Sequence, residues 1–338
     1  MNRLVDGMLS NRLFAVIVVW LVLCGSLCAY GIGSGALGGN RYRVVISTDL
    51  GGSDEDDIQS MIHYLVYSDL FDTEGIVSSP PNAGRKKDIL KVIDVYEKDY
   101  GNLKSWSSRY PEPGFLRSIA KQGAIDSAPA KGYSEPTEGS RWIIRCAKKA
   151  DERPLYVLVW GSITDVAQAL HDEPGIKDKI RVHFIASWNQ RHDENAFAYI
   201  DKHHPDTWMI HDDTTFRGWY MGGEQGGDMG NRAFVDQHVK PCGALGAYFA
   251  TLKGGSIKMG DTPTMSFLLK GTPDDPTKAS WGGQFVKKEG RARWYVDDPD
   301  GALRESDKAG AKTINKWRVD YLRDWQERML RCAGKKAP

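Results

Sequence analysis

The chain predicts an α/β domain: one large, mainly parallel sheet flanked by helices. Three observations carry that expectation. Short apolar runs rich in β-branched residues recur near residues 43–48, 74–79, 155–160 and 180–186, as strands buried on both faces require. Helix-period patterns alternate with these runs, so successive strands become parallel neighbours joined by crossovers. The 338 residues suffice for one such core, and a net charge of +1 with no basic tract offers nothing to a nucleic acid.

The amino terminus reads differently. Arg3 and Arg12 precede an apolar stretch from Leu13 to Ala29 that ends in small residues. Residues 1–36 are therefore either a cleaved secretory signal or an uncleaved N-terminal membrane anchor, leaving 37–338 as the folded domain of a secreted or periplasmic protein. Leu23 before Cys24 and Leu27 before Cys28 argue against lipoprotein cleavage. Cleavage leaves Cys146, Cys242 and Cys332, enough for one disulfide at most and spaced for no zinc site.

The first strand, around Val44, Val45 and Ile46, stops at Asp49; Gly51 and Gly52 bend the chain, and Asp54, Glu55, Asp56 and Asp57 follow. A helix from Asp54 to about Tyr67 is expected on the spacing of Ile58, Met61, Ile62 and Leu65. The acids thus sit where a parallel sheet opens its crevice, outside the carboxyl ends of the strands. So dense a cluster repels itself unless it is protonated, solvated or neutralised by a cation, and calcium is the simplest hard partner. The alternative is that Ser53 or Asp54 caps the helix with Asp57 supporting its first turn, which explains one or two of the acids. Ser47 stands where a haloacid dehalogenase-like phosphatase needs its aspartate nucleophile, and no glycine or glutamate falls where an EF-hand loop needs one.

Residues 47–79, STDLGGSDEDDIQSMIHYLVYSDLFDTEGIVSS, resemble the N-terminal signature of the nucleoside hydrolases. They resemble more closely a nucleoside hydrolase-like family of secreted bacterial proteins often described as cellulose-binding. That resemblance implies a nucleoside hydrolase-like fold. It also implies a calcium ion held by Asp49, Asp57, the late Asp261 and a backbone carbonyl near Trp160. Asp49 would then be the general base and Asp56 would hold a sugar hydroxyl, while Asn189, Asp193 and Asn195 match the loop that contacts the sugar. Two departures stand out: the loop from Leu50 to Glu55 is longer than in the hydrolases, and Gly260 replaces a histidine that can protonate the leaving base.

The remaining elements follow in order. A strand over 74–79 ends at Pro80, Pro81 and Asn82, and Asn82 on that sheet edge is either a substrate contact or a turn residue. Ile89, Val92, Ile93 and Tyr96 mark a helix; residues 102–133, rich in Gly, Pro, Ser and aromatics, read as an excursion lining the crevice. A helix over about 138–149 precedes the 155–160 strand, after which Thr164 and Asp165 suit a cap. The 180–186 strand runs into SWNQRHDENAF, and a 207–210 strand into His211, Asp212 and Asp213. The glycine-rich MGGEQGGDMGN reads as a lid or as simple turns. Asp261 ahead of Thr262 and Pro263 is either a metal ligand or part of a helix start. Trp281 is either a sugar platform or a core residue, and Ile314, Trp317, Tyr321, Leu322, Trp325 and Met329 form the packing stripe of a closing helix.

The expected function is calcium-dependent hydrolysis of an N-glycosidic or related glycosidic bond in a small sugar or nucleoside-like substrate. The competing expectation is a secreted, non-catalytic carbohydrate binder, with a polysaccharide as partner, on the same scaffold. Eleven tryptophans and the missing histidine favour the second. Acid assistance would need His192, His204 or His211 to reach in from another loop.

Overall fold

The computed structural model describes residues 41–52, 54–81 and 85–334, so the N-terminal signal or anchor and Asn82 lie outside the described residues. Eight strands form one sheet: β1 (Tyr42–Thr48), β2 (Phe71–Ser78), β3 (Ala120–Gln122), β4 (Leu155–Val159), β5 (Ile180–Ile185), β6 (Trp208–Asp212), β7 (Phe285–Lys287) and β8 (Trp294–Asp297). Their order is β3-β2-β1-β4-β5-β6-β8-β7. Every neighbouring pair is parallel except β7 with β8. The chain winds outward from β1 to β3, then returns to place β4 on the other side of β1, and at that reversal the crossovers diverge and open a crevice.

The β1 residues show why the strand is buried on both faces. Val44 and Ile46 enter one apolar cluster and Val45 the other, all fully buried. Removing such side chains from water stabilises the fold by about 1.5–3 kcal/mol each. On the first face, Met61, Ile62 and Leu65 of α1 (Asp56–Tyr67) and Ile89, Val92 and Ile93 of α2 (Lys86–Trp106) join Tyr321, Leu322 and Trp325 of a late helix. The other face is covered by α3 (Glu138–Ala147), α4 (Thr164–Asp172) and α5 (Glu194–His203), through Ile143, Val166, Leu170 and Ile200. Two further helices, α6 (Thr262–Leu269) and α7 (Arg318–Leu330), complete the elements that matter below.

One expectation changes and two open alternatives resolve. Residues 102–133 do not line the crevice at the β1 and β4 tips: α2 runs on to Trp106, Pro113 opens a short helix, and β3 pairs with the end of β2. The glycine-rich segment is no lid, because buried Arg318 donates to the Met229 and Trp219 carbonyls and to Asn231 Oδ1, fastening it to α7. Trp281 is a core residue, 7% exposed, with its ring edge-on to Tyr321. Cys146, Cys242 and Cys332 are all free and buried. Among the described residues, no helix is long and apolar enough to cross a membrane.

Candidate functional site

The site begins at the tip of β1. Thr48 Oγ1 donates to Asp57 Oδ1 at 2.5 Å and accepts from the Leu50 amide, so one hydroxyl joins the strand end, the loop and the first turn of α1. The Gly52 amide closes a turn onto the Asp49 carbonyl at 2.8 Å. Gly51, at φ +91°, carries the bend, and a Cβ there would sit 2.5 Å from the Asp88 side chain. The helix starts at Asp56 with Glu55 in the cap position and no side-chain cap bond. Asp54 pairs instead with Lys253 at 2.6 Å. Capping therefore does not account for these acids.

Asp261 reaches the same place from the far end of the chain. Gln59 of α1 donates to the Ser256 carbonyl and accepts from the Lys258 and Met259 amides, gripping the segment that leads into α6. The Trp160 indole, just past β4, donates to Thr264 Oγ1 at 2.8 Å, and that hydroxyl donates to the Asp261 carbonyl at 2.8 Å. Asp261 occupies the cap position of α6 yet its carboxylate caps nothing, and its Oδ2 is buried without a partner, as is Oδ1 of Asp49.

Asp49, Asp54, Asp56, Asp57 and Asp261 line one cavity of about 350 Å³. Burial, then the charges of Asp56 and Asp54, push the Asp49 carboxyl up to about 7. Burial and the neighbouring Asp57 and Asp54 push Asp56 up to about 8. Asp57 and Asp261 are raised well above the carboxylate range, first by burial and then by the other acids. Two buried orphan oxygens and four mutually repelling carboxyls are the donor chemistry that suits a hard divalent cation. Among the described residues, however, no three His, Cys, Asp or Glu side chains stand as a ready-made metal cluster. Carboxylates that bind a cation together here must turn toward it.

The sugar candidates divide. Asn189 lines the cavity, but its amide donates to the Trp160 carbonyl at 2.6 Å and the Ile185 carbonyl at 3.0 Å, so it fixes the very carbonyl proposed as a ligand. Asp193 and Asn195 are not brought to the cavity. Asp193 accepts from Thr164 Oγ1 and the Ala128 amide, and Asn195 donates to the Ala128 carbonyl, because the intervening helical turns carry them back over residues 124–137. Thr164 is thus spent on Asp193, and Asp165 is buried under the Ala124 amide and Thr137 rather than capping α4. Asp212 is fully buried, accepting from the Phe216 amide, while Asp213 accepts from the Ser187 amide.

Among the described residues, no histidine lines the cavity. His211 contacts Gln190, His204 contacts Tyr199 and His192 lies 4.0 Å from the Trp188 ring, and none of the three is among the residues lining the cavity. Gly260 is packed, a Cβ there meeting Asp56 Oδ2 at 3.0 Å and the Phe216 ring at 3.4 Å. Residues that sequence reasoning missed form the rest of the wall: Trp188, 51% exposed, with Phe216, Arg217, Tyr220 and Lys258. Trp188 was within reach of the rule that singled out Asn189, since it too follows the β5 apolar run. A second groove, about 660 Å³, lies by the amino ends of β1 and β2, lined by Arg41, Phe71, Glu74, Phe115, Trp142 and neighbours, and shares none of these acids.

Comparison with known proteins agrees with this architecture. Residues 43–285 match the family described as cellulose-binding Sde182, nucleoside hydrolase-like domain. A nucleoside hydrolase-related hypothetical protein from Saccharophagus degradans, associated with carbohydrate metabolism, superposes with TM-score 0.68 at 25% identity, over 87% of this chain and 72% of that one. An inosine-guanosine nucleoside hydrolase gives 0.51 at 13% identity over 85% and 99% of the two chains. The type III effector protein XopQ, solved with adenosine diphosphate ribose, gives 0.50 at 10% over 83% and 94%. The last two likenesses speak for the fold alone. No curated protein matches the sequence.

Proposed function

Since the chain belongs to the cellulose-binding Sde182, nucleoside hydrolase-like family, we propose that its acidic cavity binds a sugar against a calcium ion and hydrolyses an N-glycosidic or related glycosidic bond. The observation that carries this reading is the pair of buried, unpartnered carboxylate oxygens on Asp49 and Asp261, in residues that line one cavity. Asp49, Asp57, Asp261 and the Trp160 carbonyl would hold the ion, which when bound supplies positive charge to orient hydroxyls and acidify a water. Asp49 would take a proton from the attacking water as general base; a bound cation would lower this carboxyl from the value of about 7 it has alone, while making the water easier to deprotonate. Thr48 holds Asp57 in place, Asn189 holds the Trp160 carbonyl, and half-buried Asp56 accepts a sugar hydroxyl. The remaining acids stabilise positive charge developing at the anomeric carbon.

A second reading is favoured by one specific observation. With Gly260 bare and, among the described residues, no histidine on the cavity wall, the leaving-group acid of the hydrolases has no counterpart at its usual place, whereas the exposed Trp188 indole offers a face for a sugar ring. On this reading the protein binds carbohydrate without turnover. Sugar release from a nucleoside panel and from cello-oligosaccharides, measured with calcium and again for Asp49→Asn, separates the two. Release abolished by the substitution supports the hydrolase. Calcium-dependent binding with no release from any substrate supports the binder and overturns the hydrolase.

A further inference from the structure

Resting on that sugar-site reading, we infer that the ligand carries a negatively charged group, a carboxylate or a phosphate, seated against Arg217 on the cavity wall. The cavity wall carries two cations, Arg217 and Lys258. Among the described residues neither lies in an ion pair; Lys253 is taken by Asp54, and Lys258 is within electrostatic reach of Asp54 and Asp56 without pairing with either. Three acids near Arg217 are otherwise engaged: Asp213 accepts from the Ser187 amide at 2.9 Å, Asp212 accepts from the Phe216 amide, and Asp307 pairs with Lys308 at 2.6 Å.

Arg217 is also held still. It donates to the Asp213 carbonyl and to Ser187 Oγ, each at 3.0 Å, and its guanidinium lies 4.5 Å from the centre of the Phe216 ring. Two of its five N–H groups are used in these bonds, so three remain in a fixed fork suited to a planar or tetrahedral oxyanion. Lys258 adds a mobile ammonium 5.5 Å from the Tyr220 ring. Exposed Trp188 lines the same cavity, with His192 and Arg191 lying 4.0 and 6.0 Å from its ring. A neutral sugar chain or a neutral base would leave the Arg217 fork without a partner in a half-enclosed wall. An anionic group satisfies it with charge-assisted hydrogen bonds that a neutral group does not supply.

The test measures binding alone. The full chain, with calcium present, is titrated calorimetrically with phenyl glucoside and phenyl riboside, with their 4-carboxyphenyl counterparts, and with the two sugar 1-phosphates. At least one anionic class should bind about tenfold or more tightly than its neutral partner, the scale of a charge-assisted hydrogen-bonded pair. That preference should shrink with added salt. It should largely vanish in the Arg217→Gln, Lys258→Gln double variant, checked for folding by its unchanged unfolding temperature. Whether carboxylate or phosphate leads identifies the source. Equal affinity for neutral and anionic probes, or a preference that survives the double substitution, overturns this inference and leaves the sugar site standing. Binding of no probe at all overturns the sugar-site reading and this inference with it.

Discussion

Without a cation, stability should fall as pH rises through neutrality, the reverse of ordinary acid denaturation. The folded protein holds Asp49 protonated up to about 7, whereas an unfolded chain releases that proton near 3.8. Between those values the folded state binds more protons than the unfolded one, so stability is full below the lower value and is lost as pH climbs to the upper. At about 1.4 kcal/mol per pH unit, the interval amounts to about 4 kcal/mol for this one buried carboxyl. In a domain of this size that is about 8 °C in Tm. About two units of that interval fall between pH 5 and pH 8, so scanning calorimetry in chelator should show a drop of about 3 kcal/mol, or about 5 °C, from Asp49. Asp212, pushed up to about 8, and Asp297, to about 7, are buried away from the cavity and add their own share. Calcium separates the contributions, because saturation should recover only the part owed to the cavity, and should do so at pH 8 far more than at pH 5, where protons compete. Asp261→Asn removes a like charge, so it should shrink both the drop and the recovery. A Tm that is flat or rising from pH 5 to pH 8 in chelator, or a calcium effect equal at both, would refute the reasoning.

Three further outcomes follow from the geometry. Thr48→Val deletes the hydroxyl that holds Asp57 and should weaken calcium affinity about tenfold, read by calorimetry, with the β1 packing intact. Gly161→Ala would place a Cβ 2.6 Å from Ser79 Oγ and 2.8 Å from the Asp49 amide, so it should displace Asp49 and lower Tm by several degrees, with calcium no longer restoring it. Trp188→Ala, at an exposed position, should leave Tm within about a degree while lowering affinity for cello-oligosaccharides about tenfold or more.

The parallel core was legible because β1, β4 and β5 are buried on both faces and so cannot hide their apolar runs; the Val44, Val45, Ile46 triplet needs no alternation. Asp49, Asp56 and Asp57 could be read because they follow that run directly. Asp261 was reachable only through resemblance, since nothing local reveals that Gln59 grips residues 256–259. Loop register was the weak point. Asn189 and Asp193 look alike in the sequence, yet the turn after β5 points the first at Trp160 and the second at Thr164. Arg217 and Lys258 gave no signal at all: an unpaired cation is visible only once every competing carboxylate has been located. Trp281 stayed open for a similar reason, because an indole beside turn glycines looks identical whether it faces sugar or core.

The span between Asp49 and Asp261 has a consequence for synthesis. A chain still emerging from the ribosome carries its acidic tip long before the segment that Gln59 clasps, so the cavity cannot be completed until most of the protein has been made. Anything that later occupies the cavity acts as a removable staple between the earliest and a late part of the polypeptide. Closing so long a loop costs little more than closing one half its length, since the entropy of closure grows only logarithmically. Occupancy should therefore register as resistance of the entire domain to proteolysis, and should protect the amides of β1 and α6 together.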